Sequence, residues 1–85
     1  MKEVRIFGIL VPDRNKDASL VQNILTKYGC SIKTRLGLHE MNNEDCCNYG
    51  LILLEMLGES TEWDSLEKAL MQIEGIQVQK ITFDY

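Results

Sequence analysis

A chain of 85 residues has room for one domain with a thin core, since a protein this small buries only about 60–65% of the surface its unfolded form exposes. With 45% hydrophobic and 26% charged residues, its composition is globular rather than disordered. The 9 basic and 13 acidic residues leave a net charge of −4, which argues against direct nucleic-acid binding, because affinity for a phosphate backbone comes mainly from Lys and Arg.

The three cysteines are an odd number, and the N-terminus enters a strand pattern through Lys2, Glu3 and Arg5 with no secretory leader. The expectation is reduced thiols in a cytoplasmic protein, with no membrane span. Glu3 to Val11 forms the first predicted strand, with Val4, Ile6, Gly8 and Leu10 on one face and Arg5, Phe7, Ile9 and Val11 on the other. Pro12 stops it by removing a ladder donor, and Asn15 or Asp17 is available to cap the next element. A helix is predicted from Asp17 to Tyr28, where Ala18, Val21, Leu25 and Tyr28 share a stripe widened by Leu20 and Ile24. Gly29 suits a left-handed helix terminus, and Cys30 reads as a small core residue.

Ser31 to Leu38 alternates Ile32, Thr34, Leu36 and Leu38 with Ser31, Lys33, Arg35 and Gly37, a half-polar pattern suited to a sheet edge. A polar connection, His39 to Asn48, leads to Tyr49–Leu57. This is the most continuously apolar run of the chain and reads as a strand buried on both faces. After the turn Gly58 to Glu62, Thr61 and Asp64 have the spacing of a capping box. Trp63, Leu66, Leu70 and Ile73 then mark a second helix closed by Gly75, and Ile76 to Phe83 is the last strand.

The order β-α-β-β-α-β with right-handed crossovers predicts an α+β domain spanning residues 1–85. Its four-stranded antiparallel sheet has the order 4-1-3-2, with both helices on one face. The first and third strands are then central, and these are the two that are apolar on both sides. Two helices cover one side of such a sheet only. The uncovered side carries Phe7, Ile9 and Val11 with Leu51, Leu53 and Leu57, or the complementary set. An apolar face of that extent predicts a homodimer or homotetramer formed through it. The alternative is a monomer shielded by Arg5, Lys33 and Arg35.

His39, Glu40, Glu44, Asp45, Cys46 and Cys47 fall within nine residues, and thiolates with imidazole can hold a soft metal ion. Adjacent cysteines on extended backbone point apart, however, so no cofactor is expected. His39, Cys46 and Cys47 remain the candidate ligands of an alternative, metal- or redox-responsive reading. Arg35 with Gly37 is a candidate ligand or interface pair, since Arg is a bidentate donor and a strand glycine can mark close approach. Neither a nucleophile–base arrangement nor a Gly-rich phosphate loop is present, so catalysis is not expected.

Asp13-Arg14 after the first strand, Arg35-Leu36-Gly37 near the end of the second, the apolar strand after an acidic loop, and the step Gly75-Ile76-Gln77-Val78 occur here in order. Together they resemble the ACT-like and nickel-responsive-regulator branch of ferredoxin-like folds, and within it the family of iron-only hydrogenase system regulators, over essentially the whole chain. The resemblance implies a transcriptional regulator linked to hydrogenase maturation. It also implies a small-molecule effector or a regulatory protein partner, and places Asp13, Arg14, Arg35 and Gly37 at the ligand or interface site. Amino-acid-binding ACT domains carry Asp-x-Pro-Gly after the first strand. Here the segment is Pro12-Asp-Arg-Asn-Lys-Asp17, without glycine, and the single His does not match a His-rich nickel site. Neither ligand set is carried across.

Overall fold

The two apolar runs form the middle of the sheet. The computed structural model describes residues 2–38 and 49–85, with β1 at Glu3–Val11, α1 at Arg14–Lys27, a 3₁₀ turn at Gly29–Ser31, β2 at Ile32–Leu38, β3 at Gly50–Met56, α2 at Ser60–Met71 and β4 at Gln77–Asp84. The strand order is β2-β3-β1-β4, antiparallel throughout, which is the expected 4-1-3-2 read from the other edge. No helix among the described residues is long and apolar enough to cross a membrane.

One core lies between the sheet and the helices. Phe7, Ile9 and Val11 from β1 and Leu54 and Met56 from β3 meet Val21 and Leu25 of α1 and Trp63, Leu66 and Leu70 of α2. This corrects the expected placement of Phe7, Ile9 and Val11. They face the helices, and Phe7 and Ile9 are fully buried. The complementary set lies outward: Ile6, Gly8 and Leu10 stand opposite Glu55, Leu53 and Leu51 on one flank and Ile81, Gln79 and Gln77 on the other. Directly paired residues share a face, so Leu51 and Leu53 lie on the side away from the helices.

Arg5 and Arg35 are corrected with the same logic. Both extend from the helix side of the sheet, Arg5 buried beside α2 and Arg35 hydrogen-bonded to Gln22 of α1, so neither shields the outer face. Lys33 does reach Glu55, at 3.6 Å.

Several local expectations shift. Helix α1 starts at Arg14, with Asp13 rather than Asn15 or Asp17 at the capping position and without a side-chain cap bond. Asp17 falls in the first turn and is buried there, where the helix end favours a negative charge. Gly29 begins the 3₁₀ turn instead of a left-handed cap, and positive φ occurs at Gly58 and Gly75. Cys30 sits in that turn and is exposed, because the turn lifts it off the core. No capping box forms at α2: Glu59 occupies the cap position, and Asp64 turns toward β1.

Candidate functional site

The outer face of the sheet is assembled by pairing alone. Val4 stands opposite Phe83, Ile6 opposite Ile81, and Leu36 opposite Leu53, so every strand contributes an apolar residue to one continuous surface. Its flanks are the most open: Leu36 is 50% exposed, Ile81 56% and Phe83 53%. Val4, Ile6, Leu10, Leu51 and Leu53 between them are half-buried by their neighbours. The polar residues on this side gather at two opposite corners, Gln77 and Gln79 on β4 at one and Thr34 with Glu55 at the other. Thr34 donates to Glu55 Oε1 at 3.0 Å, and Lys33 approaches the other carboxylate oxygen. A surface that is apolar through its middle and polar at two corners has the make-up of a protein interface.

A second feature lies on the helix side. Arg5 is the one charged residue within the otherwise apolar Val4–Val11 run, yet it is buried. Its Nε donates to Glu3 Oε2 at 2.8 Å and its Nη1 to Asp64 Oδ1 at 2.7 Å. The guanidinium lies 5.1 Å from the Trp63 ring centroid and 5.9 Å from that of Phe7. Burial opposes the charge on Arg5, but the bonds to Asp64 and Glu3 outweigh it and its pKa lies above the usual value. The Arg5 hydrogen bond in turn holds the Asp64 carboxyl below the ordinary carboxylate range. Trp63 donates its indole N–H to the Leu57 carbonyl at 2.9 Å. Together these bonds clasp α2 to β1 and to the end of β3. They hold the helices in place and leave the outer face free.

Of the residues singled out from sequence, Asp13 and Gly37 come to the same end of the sheet. There β1 finishes at Val11, paired with Gly50, and β2 finishes at Leu38, paired with Leu51. Arg14 opens α1. Arg35 is exposed and reaches α1 rather than standing alone. A Cβ at Gly37 would meet nothing within 4 Å, and its backbone is not left-handed, so neither packing nor φ among the described residues requires glycine there. His39, Cys46 and Cys47 lie outside the described residues. Among those described, no group of three or more His, Cys, Asp or Glu residues comes together to hold a metal ion.

Two features went unread in the sequence. One is the Arg5–Asp64–Trp63 clasp, whose only signal was a lone Arg in an apolar strand. The other is the outward pair Ile81 and Phe83 on β4, whose period-2 alternation was there to be found.

No family model and no curated protein matches the chain. Solved structures do. An uncharacterized protein from Thermotoga maritima is 24% identical and superposes with a TM-score of 0.79 over 98% of this chain and 100% of that one. The ACT domain of GTP pyrophosphokinase from Chlorobium tepidum is 16% identical, with a TM-score of 0.67 over 92% of this chain and 96% of that one. CPII, a nitrogen regulatory PII-like protein from Thiomonas intermedia solved with ADP, AMP and bicarbonate, is 10% identical, with a TM-score of 0.61 over 99% and 93%. The fold is therefore ACT-like and ferredoxin-like.

Proposed function

We propose that this chain is a small regulatory module that self-associates through the outer face of its sheet and responds to a small-molecule effector or a protein partner. The observation that carries this reading is the outer face itself. Leu36, Leu53, Ile6, Ile81 and Phe83 form an apolar surface that the fold's own helices leave uncovered. The fold shared with an ACT domain and with a PII-like protein bound to nucleotides supports a sensing role. The resemblance to iron-only hydrogenase system regulators gives that role a setting: control of hydrogenase maturation genes through a DNA-binding partner, since a net charge of −4 suits no direct grip on DNA. The end of the sheet that carries Asp13 and Gly37 is the proposed effector position, because Asp13, just after β1, and Gly37, near the end of β2, are both exposed at that end and neither belongs to the core.

Thermal unfolding of the reduced protein against amino acids, nucleotides and divalent metals tests the sensing half of the proposal. A ligand at about a hundred times its dissociation constant adds about 2.7 kcal/mol, which raises the midpoint by about 10 °C or more in a domain this small. A shift with one ligand that Gly37→Val abolishes supports the site. A ligand shift unchanged by Gly37→Val and Asp13→Ala would remove it from that end of the sheet.

A further inference from the structure

We infer that β4 is a pairing edge for a second copy of this chain, joined antiparallel about a two-fold axis at Thr82. The two edges of the sheet differ in kind. β2 carries a register shift between Ile32 and Thr34 and the cations Lys33 and Arg35, the devices that discourage strand addition. β4 has neither. It pairs with β1 without interruption from Gln77 to Asp84, and each of its eight residues except the half-buried Val78 is exposed.

The backbone fixes which groups are free. Lys2 and Tyr85 exchange both of their N–H to carbonyl bonds, so Tyr85 points its backbone at β1. Alternation along the ladder then turns the N–H and carbonyl groups of Phe83, Ile81, Gln79 and Gln77 toward β1, and leaves those of Val78, Lys80, Thr82 and Asp84 directed at the open edge. Two copies joined in one continuous sheet must pair residues of the same face. A register centred on Thr82 satisfies this and sets Thr82 against Thr82, Ile81 against Phe83, and Lys80 against Asp84. These are a Thr–Thr pair, two β-branched–aromatic pairs and two opposite-charge pairs, the cross-strand combinations that stabilise antiparallel ladders. Centring on Lys80 would instead oppose two ammonium groups.

Asp84 supplies a separate reason. It stands directly opposite Glu3 on β1, and Glu3 is bonded to Arg5, while Asp84 forms no ion pair among the described residues. The second copy's Lys80 would relieve that like-charge opposition. Lys80 also reaches Glu67 at 3.1 Å and can bridge both carboxylates.

This inference does not depend on the outer-face proposal, and the test keeps the two apart by working in a Leu53→Glu background, where face-to-face packing is blocked. With Cys30, Cys46 and Cys47 changed to Ser, Thr82→Cys is expected to form a disulfide-linked dimer under mild oxidation. Hydrogen-bonded partners across an antiparallel pair have Cα atoms about 5.5 Å apart, within disulfide reach. Lys80→Cys, on the same edge, is expected to remain uncrosslinked, because its own copy lies four residues out of register. In sedimentation, Lys80→Glu and Asp84→Lys should each weaken association about tenfold, and the double reversal should restore it. Crosslinking at both positions alike or at neither, or a double reversal no better than the single ones, would overturn the inference.

Discussion

Leu53→Glu is the sharpest probe of the outer face. Leu53 is central in β3, its Cδ2 lies 3.7 Å from where a Cβ on Gly8 would stand, and Leu36 flanks it on the other side. In the isolated protomer it is half-buried on the solvent side, so the substitution is expected to change folding stability by about 1 kcal/mol or less. In a face-to-face dimer the position is buried twice. Four strands spaced ~4.8 Å apart and about seven residues long present roughly 450 Å² in projection, which side-chain relief brings toward the ~800 Å² per partner of a stable interface. Fully burying one exposed Leu is worth about 1.5–3 kcal/mol; Leu53 is already half-buried, so the two copies in a dimer contribute about 1.5–3 kcal/mol together. The expected loss is therefore at least about tenfold in dissociation constant, before the cost of confining two carboxylates. Sedimentation velocity and light scattering from micromolar to millimolar protein read the effect directly. The same weight-average mass for variant and wild type across that range, or a wild type that stays monomeric at the top of it, would refute the reasoning.

Core and backbone changes should behave differently. Leu66→Ala, at a side chain fully buried under α2, is expected to cost about 2–5 kcal/mol and lower the midpoint by about 10 °C or more in calorimetry, without changing the mass of the folded fraction. Gly75→Ala places a Cβ at φ +91° and should cost about 1 kcal/mol or more in denaturant titration. Gly37→Ala, with no Cβ neighbour and no positive φ, should leave stability within about 0.5 kcal/mol. Asp64 is linked to acid stability, since Arg5 depresses its folded pKa. The contribution is fully present above the unfolded value near 3.9 and is lost as pH falls through the depressed folded value. Wild type should therefore lose stability more steeply than Asp64→Asn below about pH 4, as followed by Trp63 fluorescence; parallel curves would assign the clasp no part in it.

Strand order, helix number and the buried stripe of α2 were legible because periodicity and topology agree; on α1 Val21 and Leu25 are buried as expected, whereas Ala18 and Leu20 are exposed. Two central strands had to be apolar on both sides, and β1 and β3 were. Helix ends were less legible. Asp13, Glu59 and Gly29 depart from the expected caps, and at α2 a tertiary bond is the reason, since Asp64 joins Arg5 instead of closing a capping box. The proposed effector end of the sheet was legible as residue types only. Nothing in Arg35-Leu36-Gly37 announced that Arg35 would reach back to Gln22.

The face assignment of β1 turned on a residue that misleads by its chemistry. Arg5 shares a parity with Phe7, Ile9 and Val11, and a buried Arg is unfavourable unless paired. Glu3, Asp64 and the Trp63 ring supply that pairing, so the larger side chains go inward and the set containing Gly8 goes out. The edge strands take their faces from register, and on both of them the more apolar alternation faces outward. Ile81 and Phe83 are out while Lys80 and Thr82 are in; Leu36 is out while Arg35 and Gly37 are in. If the helices were the only cover, selection for the core would favour the opposite assignment, with Ile81 and Phe83 buried and Lys80 in water. That a sheet places its better strand-forming, more hydrophobic residues on the uncovered side is the strongest physical support for the proposed association through that face.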